Sequence, residues 1–328
     1  AARGQLDLMQ RQRPIAELLQ DSTTPAATRQ ALNYLLSARS FALEQLQLED
    51  NQSYLQYVDL QREYVSWNVF ATPELSMQNH TWCYPIAGCV SYRGYFDETD
   101  AEAYANALKQ EGFDTYVSGV GAYSTLGWFD DPVLSTFLQR GKVSLAALLF
   151  HELAHQVLYV QDDTEFNESF ASSVETLLLQ RWIQQQALQE DWQTYRRMEA
   201  RQAAFTQLVL QHQQQRTDLF QSDLETSEKR RRKAQLIQDM HQDYADFKQT
   251  WQYDGYDNWV AKGLNNAQLS TVAAYHGLKP GFLALYEVSG QNLTTFIQEC
   301  RRLATLERDD RHQHLNELAS GNIVYTQN

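Results

Sequence analysis

The chain has 328 residues, 43% hydrophobic and 12% aromatic, enough to bury a globular core. It carries 27 basic against 41 acidic residues, a net charge of −14, which argues against a nucleic-acid partner. Apolar runs such as Leu145–Phe150 are too short to span a bilayer, and the three cysteines form no Cys-x-x-Cys or Cys/His cluster, so a structural thiolate zinc site is not expected.

From Leu6 to about Val69 the apolar residues recur at three- and four-residue spacing, and the reading is helical until Pro73 stops it. Cys83 and Cys89 stand near enough for a small loop disulfide, a pairing that would fit an oxidising compartment; Cys300 is alone. "GCVSYRGYF" alternates and is rich in aromatic and β-branched residues, as a strand would be. The helix "DETDAEAYANALKQEG" follows, opened by Asp97 or Thr99 and closed by Gly112. "FDTYVSGVGAYST" reads as a second strand, whose glycines let another backbone come close.

Beyond Val143 the pattern is helical again. "SLAALLFHELAHQVLYV" is one helix and "DTEFNESFASSVETLLLQRWIQQQ" the next. Residues 187–251 are Gln-rich and charged, with a bend near "RTDLFQSDLETSEKR", and predict a long antiparallel helical hairpin. Its basic run, Lys229 to Lys233, reads as a solvated helix face. Phe205, Leu208, Leu210 and Leu219 fit packing between its two helices, or an interaction arm. The expected fold is mainly α with a small β-sheet (α+β), in one domain over 1–328. Its sub-regions are N-terminal helices (1–72), a small β/α unit (80–130), a helix pair (143–186), the hairpin (187–251) and C-terminal helices (254–328).

The chemistry concentrates in His151-Glu152-Leu153-Ala154-His155. Residues four apart on a helix lie one above the other, so His151 and His155 can face one ion with Glu152 alongside. Such a pair suits Zn²⁺ with an open position, the Glu handling the proton of an attacking water. With eight His in the chain, chance would supply this pattern roughly 0.01 times. The third ligand follows from counting. Asp162 and Glu165 look like the capping start of the next helix, and His155 and Glu168 are each about six residues from a turn centred between Gln161 and Asp162. Glu168 is thus level with His155. Ser172 and Glu175 face the same way, making Glu175 either a partner for a ligand His N–H or a helix-surface carboxylate.

His151, Glu152, His155 and the "NESFA" of Asn167–Ala171 resemble gluzincin peptidases. Together with "YPIAGCVSYRGYF", "GAYSTLGWFDDP" and "NNAQLSTVAAYHGLKPGF", they resemble a family of predicted bacterial zinc aminopeptidases, over most of the chain. The resemblance implies one Zn²⁺ on His151, His155 and Glu168, with Glu152 as general base. It also implies a substrate strand at Gly121, Ala122, Tyr123 and Ser124. There Ser124 occupies the place of the Glu that grips a free amine in aminopeptidase N-like enzymes, and a hydroxyl cannot pair with an ammonium as a carboxylate does. The oxyanion donor that gluzincins need is assigned to Tyr275, beside His276, with Tyr92 and Tyr95 as alternatives.

The function expected is thus a zinc peptidase acting on peptides, in the first place an aminopeptidase. The alternatives are a zinc endopeptidase, or a non-catalytic envelope assembly protein that keeps the site and uses the hairpin to hold a protein partner. Family members commonly carry a lipoprotein signal, and the given sequence opens at "AARGQ" without an initiator Met. The expectation is a periplasm-facing envelope protein, with any export signal or lipid anchor upstream and no transmembrane segment in this chain.

Overall fold

The computed structural model describes residues 10–84, 88–121, 131–138, 141–273 and 277–321. Among these are thirteen helices with small sheets of two or three strands, the α+β architecture expected. No helix among the described residues is long and apolar enough to cross a membrane. The chain divides into two compact units: residues 1–65, 120–195 and 276–328 form one, and 66–119 and 196–275 the other.

The first unit opens with β1 (Arg13–Pro14), α1 (Ile15–Gln20) and α2 (Ala26–Leu46). Helix α2 buries Leu32, Leu35, Phe41 and Leu46 and ends where Gln47 takes a left-handed conformation (φ 54°). The helical reading then fails. Residues 56–58 form β2 (Gln56–Val58), and Ser66–Pro73 forms β3, which belongs to the second unit. Tyr54 and Gln61 take positive φ (64° and 53°), which no helix accommodates, and the β-branched and aromatic residues that follow favour the extended chain. β2 lies between β1, antiparallel, and β8 (Val133–Leu134), parallel.

β3 is central in a three-stranded sheet with β6 (Arg93–Tyr95) and β7 (Phe113–Val120) as its neighbours. Trp67 stands opposite Tyr95. The stretch expected as a single strand from Gly88 to Phe96 is two. Its first half is β5 (Gly88–Val90), paired with β4 (Trp82–Tyr84) through the Cys83–Cys89 disulfide; its second half is β6, paired with β3. A cross-strand disulfide holds the first half to its own hairpin, so the chain changes partners at Ser91 and Tyr92. Helix α3 (Glu98–Gln110) is capped by Asp97, whose carboxylate accepts from the Thr99 and Asp100 amides at 2.9 and 3.2 Å.

After the helices α4 (Ser135–Leu138), α5 (Lys142–Val157) and α6 (Thr164–Gln186) comes the hairpin, α7 (Gln189–Gln221) and α8 (Thr226–Trp251). From Arg196 onward it belongs to the second unit. Phe205, Val209, Met240, Tyr244 and Phe247 form its core with Val260 and Leu264, and Leu208 packs against them. The basic run is not all solvated: Lys233 is buried, its ammonium bonded to Asp114 (2.7 Å) and the Glu74 carbonyl (2.8 Å). Arg230 forks onto Glu74, and Arg231 and Arg232 meet Glu228. α9 (Asp257–Val260) and α10 (Asn266–Ala273) complete this unit. The first unit closes with α11 (Lys279–Val288), α12 (Leu293–Ala304) and α13 (Arg308–Ala319).

Candidate metal centre

Helix α5 is built almost wholly of helix formers and apolar residues, and it buries Leu145, Leu149, Phe150, Leu153 and Ala154. It begins after Gly141 (φ 77°) and stops at Leu158, which is extended. The next helix is capped by Asp163, whose carboxylate accepts from the Phe166 amide at 3.2 Å. The expected cap, Asp162, instead makes the turn with φ 63°, a conformation a short polar residue tolerates. Asn167 fixes the connection. Its side chain accepts from the Val160 amide (2.8 Å) and donates to the Val160 carbonyl (2.7 Å).

Across this turn His155 meets Glu168 and His151 meets Glu175, so the pairs run in opposite senses and α5 and α6 are antiparallel. His151 Nε2 lies 3.2 Å from Glu168 Oε2, and His155 Nε2 lies 3.8 Å from the same oxygen. One ligand atom from each of His151, His155 and Glu168 falls within 4.8 Å of the others. A tetrahedral zinc site with bonds of roughly 2.0–2.1 Å separates its donors by about 3.3 Å. The donor set therefore fits a divalent ion of that size without rearrangement of the helices.

The surroundings agree. His151 Nδ1 lies 3.2 Å from Glu175 Oε2, so the nitrogen that faces away from the cluster has its own carboxylate. Burial pulls the His151 imidazole down, but the hydrogen bonds of Glu168 and Glu175 outweigh it and hold its pKa well above the ordinary value. Burial brings His155 down to about 4, with the charge of His151 adding to the effect. Glu152, 7% exposed, is pushed up to about 7, first by burial and then by Glu168, Asp131 and Glu175 against the pull of His151. Negative charge crowded around two imidazoles in a buried place is a setting that a bound cation relieves.

Of the residues singled out from sequence, the fold brings together His151, Glu152, His155, Glu168 and Glu175. Gly121 lies in the same unit, its carbonyl accepting from Thr136 Oγ1 at 2.6 Å. Ala122, Tyr123, Ser124, Tyr275 and His276 lie outside the described residues. Tyr92 and Tyr95 pack in the second unit, against Phe70 and Tyr104. Sequence reasoning missed Tyr195, whose hydroxyl donates to Glu175 Oε1 at 2.9 Å, and the clasp of Asn167. Nothing in the spacing marks Tyr195, which belongs to the following helix.

Fold and site together define a mainly helical α+β protein with a two-histidine, one-carboxylate group that could hold a metal ion on adjacent antiparallel helices. Residues 1–315 match the family described as "putative aminopeptidase", and the chain belongs to that family. Membership supports peptidase activity. No curated protein and no solved structure matches the chain.

Proposed function

We propose that the protein is a zinc-dependent peptidase and, as the family description favours, an aminopeptidase. The observation that carries this is the convergence of His151 Nε2, His155 Nε2 and the Glu168 carboxylate beside the buried Glu152. Those three side chains would hold Zn²⁺, which when bound supplies a Lewis acid that polarises a scissile carbonyl and acidifies water. Glu152 takes the proton of the attacking water on its carboxylate and returns it to the leaving amine nitrogen. Its burial keeps bulk water from competing for that proton. Glu175 keeps the His151 ring oriented. Amine recognition would need an acid other than residue 124, which is serine. The Cys83–Cys89 disulfide supports an oxidising location, and we place the protein on the periplasmic side of a bacterial envelope.

The test is a peptide-library digest by the zinc-loaded protein, with and without a chelator, read by mass spectrometry. Chelator-sensitive loss of single N-terminal residues is the expected result. Internal cleavage would make the protein an endopeptidase. Absence of cleavage, or full activity of Glu152→Gln with its zinc retained, would overturn the mechanism.

A further inference from the structure

The hydrogen bonds behind His151 do not stop at Glu175. Each oxygen of that carboxylate has its own partner: Oε2 lies 3.2 Å from His151 Nδ1, and Oε1 accepts from the Tyr195 hydroxyl at 2.9 Å. Tyr195 is 5% exposed, stands near the start of α7, and stacks on Trp192 with ring centroids 5.9 Å apart. The two histidines of the motif are held unequally. His155 Nδ1 is buried with no hydrogen-bond partner among the described residues, whereas His151 Nδ1 has a carboxylate whose other end is pinned.

A glutamate side chain has three rotatable bonds, and ordering them costs entropy that one hydrogen bond repays poorly. A second hydrogen bond at the far oxygen selects the one rotamer in which the first is made. A neutral imidazole can ligate through Nε2 only if its proton sits on Nδ1, and a carboxylate at Nδ1 secures that tautomer. We infer that Tyr195 is a positioning residue of the metal centre, locking Glu175 so that His151 keeps its proton on Nδ1 and turns the Nε2 lone pair towards Glu168 and His155. The inference rests on reading that group as a zinc site.

The test is zinc affinity of the full chain, stripped of metal and titrated against a chromophoric chelator, with the Co²⁺ absorption spectrum as a second readout. Glu175→Gln should weaken binding roughly ten- to a hundredfold. Tyr195→Phe, which keeps the ring, should weaken it about three- to tenfold, the worth of one hydrogen bond. It should also alter the Co²⁺ spectrum, which a purely structural role would not move, while the metal-free protein loses no more stability than the one hydrogen bond, about 1 kcal/mol. In the Glu175→Gln background it should add nothing, because its path to the metal is gone. Trp192→Ala, which removes the stacked ring and leaves the hydroxyl, should bind zinc as the native chain does. Unchanged affinity in Tyr195→Phe, an equal loss in both backgrounds, or an equal loss in Trp192→Ala would overturn the inference. His151→Ala separates the two levels: native affinity there overturns the zinc reading itself, whereas its loss beside an unaffected Tyr195→Phe overturns only the role of Tyr195.

Discussion

Gly281 and Leu315 meet backbone to backbone: a Cβ on residue 281 would lie 2.3 Å from the Leu315 carbonyl oxygen and 2.9 Å from its Cα. This is where α11 crosses α13. Helix propensity alone would make Gly281→Ala stabilising by about 1 kcal/mol. The contact reverses the sign, because the obstructing atoms are backbone and the two helices must part. Overpacking of this kind costs about 1–3 kcal/mol, and more where a main chain has to move. We expect a net loss of about 2 kcal/mol in urea denaturation; a variant at least as stable as the native chain would refute the crossing. The loss should also reach α6, which carries Glu168, since the Leu278 amide at the head of α11 donates to Ser169 Oγ on that helix.

How much of this was legible in the sequence depends on the range of the interaction. His151 and His155 share a face because helical period fixes them locally, and Glu168 follows from counting across one short turn. That count tolerated an error: the cap is Asp163, not Asp162, and a one-residue shift at a helix end leaves the pairing within the same turn. Tyr195 was not legible, because its hydroxyl reaches Glu175 only through the placement of the next helix. β3 was misread for a different reason. "SWNVFATP" buries Trp67 and Val69 in alternation and then Phe70, Ala71 and Thr72 together, and such a run also fits helical spacing. The left-handed residues that end α2 and keep the chain beyond it from continuing as helix, Gln47, Tyr54 and Gln61, carry none of the usual marks of that conformation.

Asn167 should prove more costly to lose than an ordinary buried amide. It is 2% exposed and satisfies both the donor and the acceptor of Val160, in the connection between the two helices that carry His155 and Glu168. Asn167→Ala leaves two main-chain groups without those partners, for a loss of about 2–4 kcal/mol. Because the connection sets the separation of α5 and α6, zinc affinity should fall as well. Equilibrium unfolding and chelator competition on the same preparation would check both. An unchanged metal affinity would show that the helices keep their spacing without the clasp.

Within the basic run, neighbouring cations should behave very differently. Lys233 is 7% exposed and divides its ammonium between Asp114 and the Glu74 carbonyl. Lys233→Met removes the ammonium that bonds Asp114, leaving it the Asn266 amide at 3.0 Å and the charge of Arg216. Breaking a buried pair from one side costs about 3–5 kcal/mol, and the partial exposure of Asp114 lowers this to about 2–3 kcal/mol. Asp114→Asn added to that variant should recover part of the loss. Arg231→Ala and Arg232→Ala, whose contacts with Glu228 are exposed, should leave the urea midpoint unchanged. Equal effects at all three positions would mean that the run is a uniform solvated face after all.

Acid should act on α6 through Asp163. Burial alone would raise this carboxyl, but the hydrogen bond from His312, reinforced by the Phe166 amide and the charge of Arg311, holds it below the usual value. His312 Nε2 lies 2.9 Å from each carboxylate oxygen, Arg311 Nε 2.9 Å from Oδ2 and Arg308 Nε 3.8 Å from Oδ1. Glu165 is the nearby acid, 3.8 Å from the other nitrogen of His312. A depressed folded-state pKa stabilises the fold above the unfolded value, about 3.9 for Asp, and that contribution vanishes as pH falls through the lower folded value. Stability should therefore decline below about pH 4 with a slope that Asp163→Asn makes shallower. Asparagine can still cap α6, so the variant should lose about 2 kcal/mol at neutral pH, chiefly because buried Arg311 is left without its counter-charge. Subtracting the two pH–stability curves isolates this one carboxylate. A difference that stays constant from pH 7 to pH 3 would show that Asp163 contributes as a cap and not as a charge.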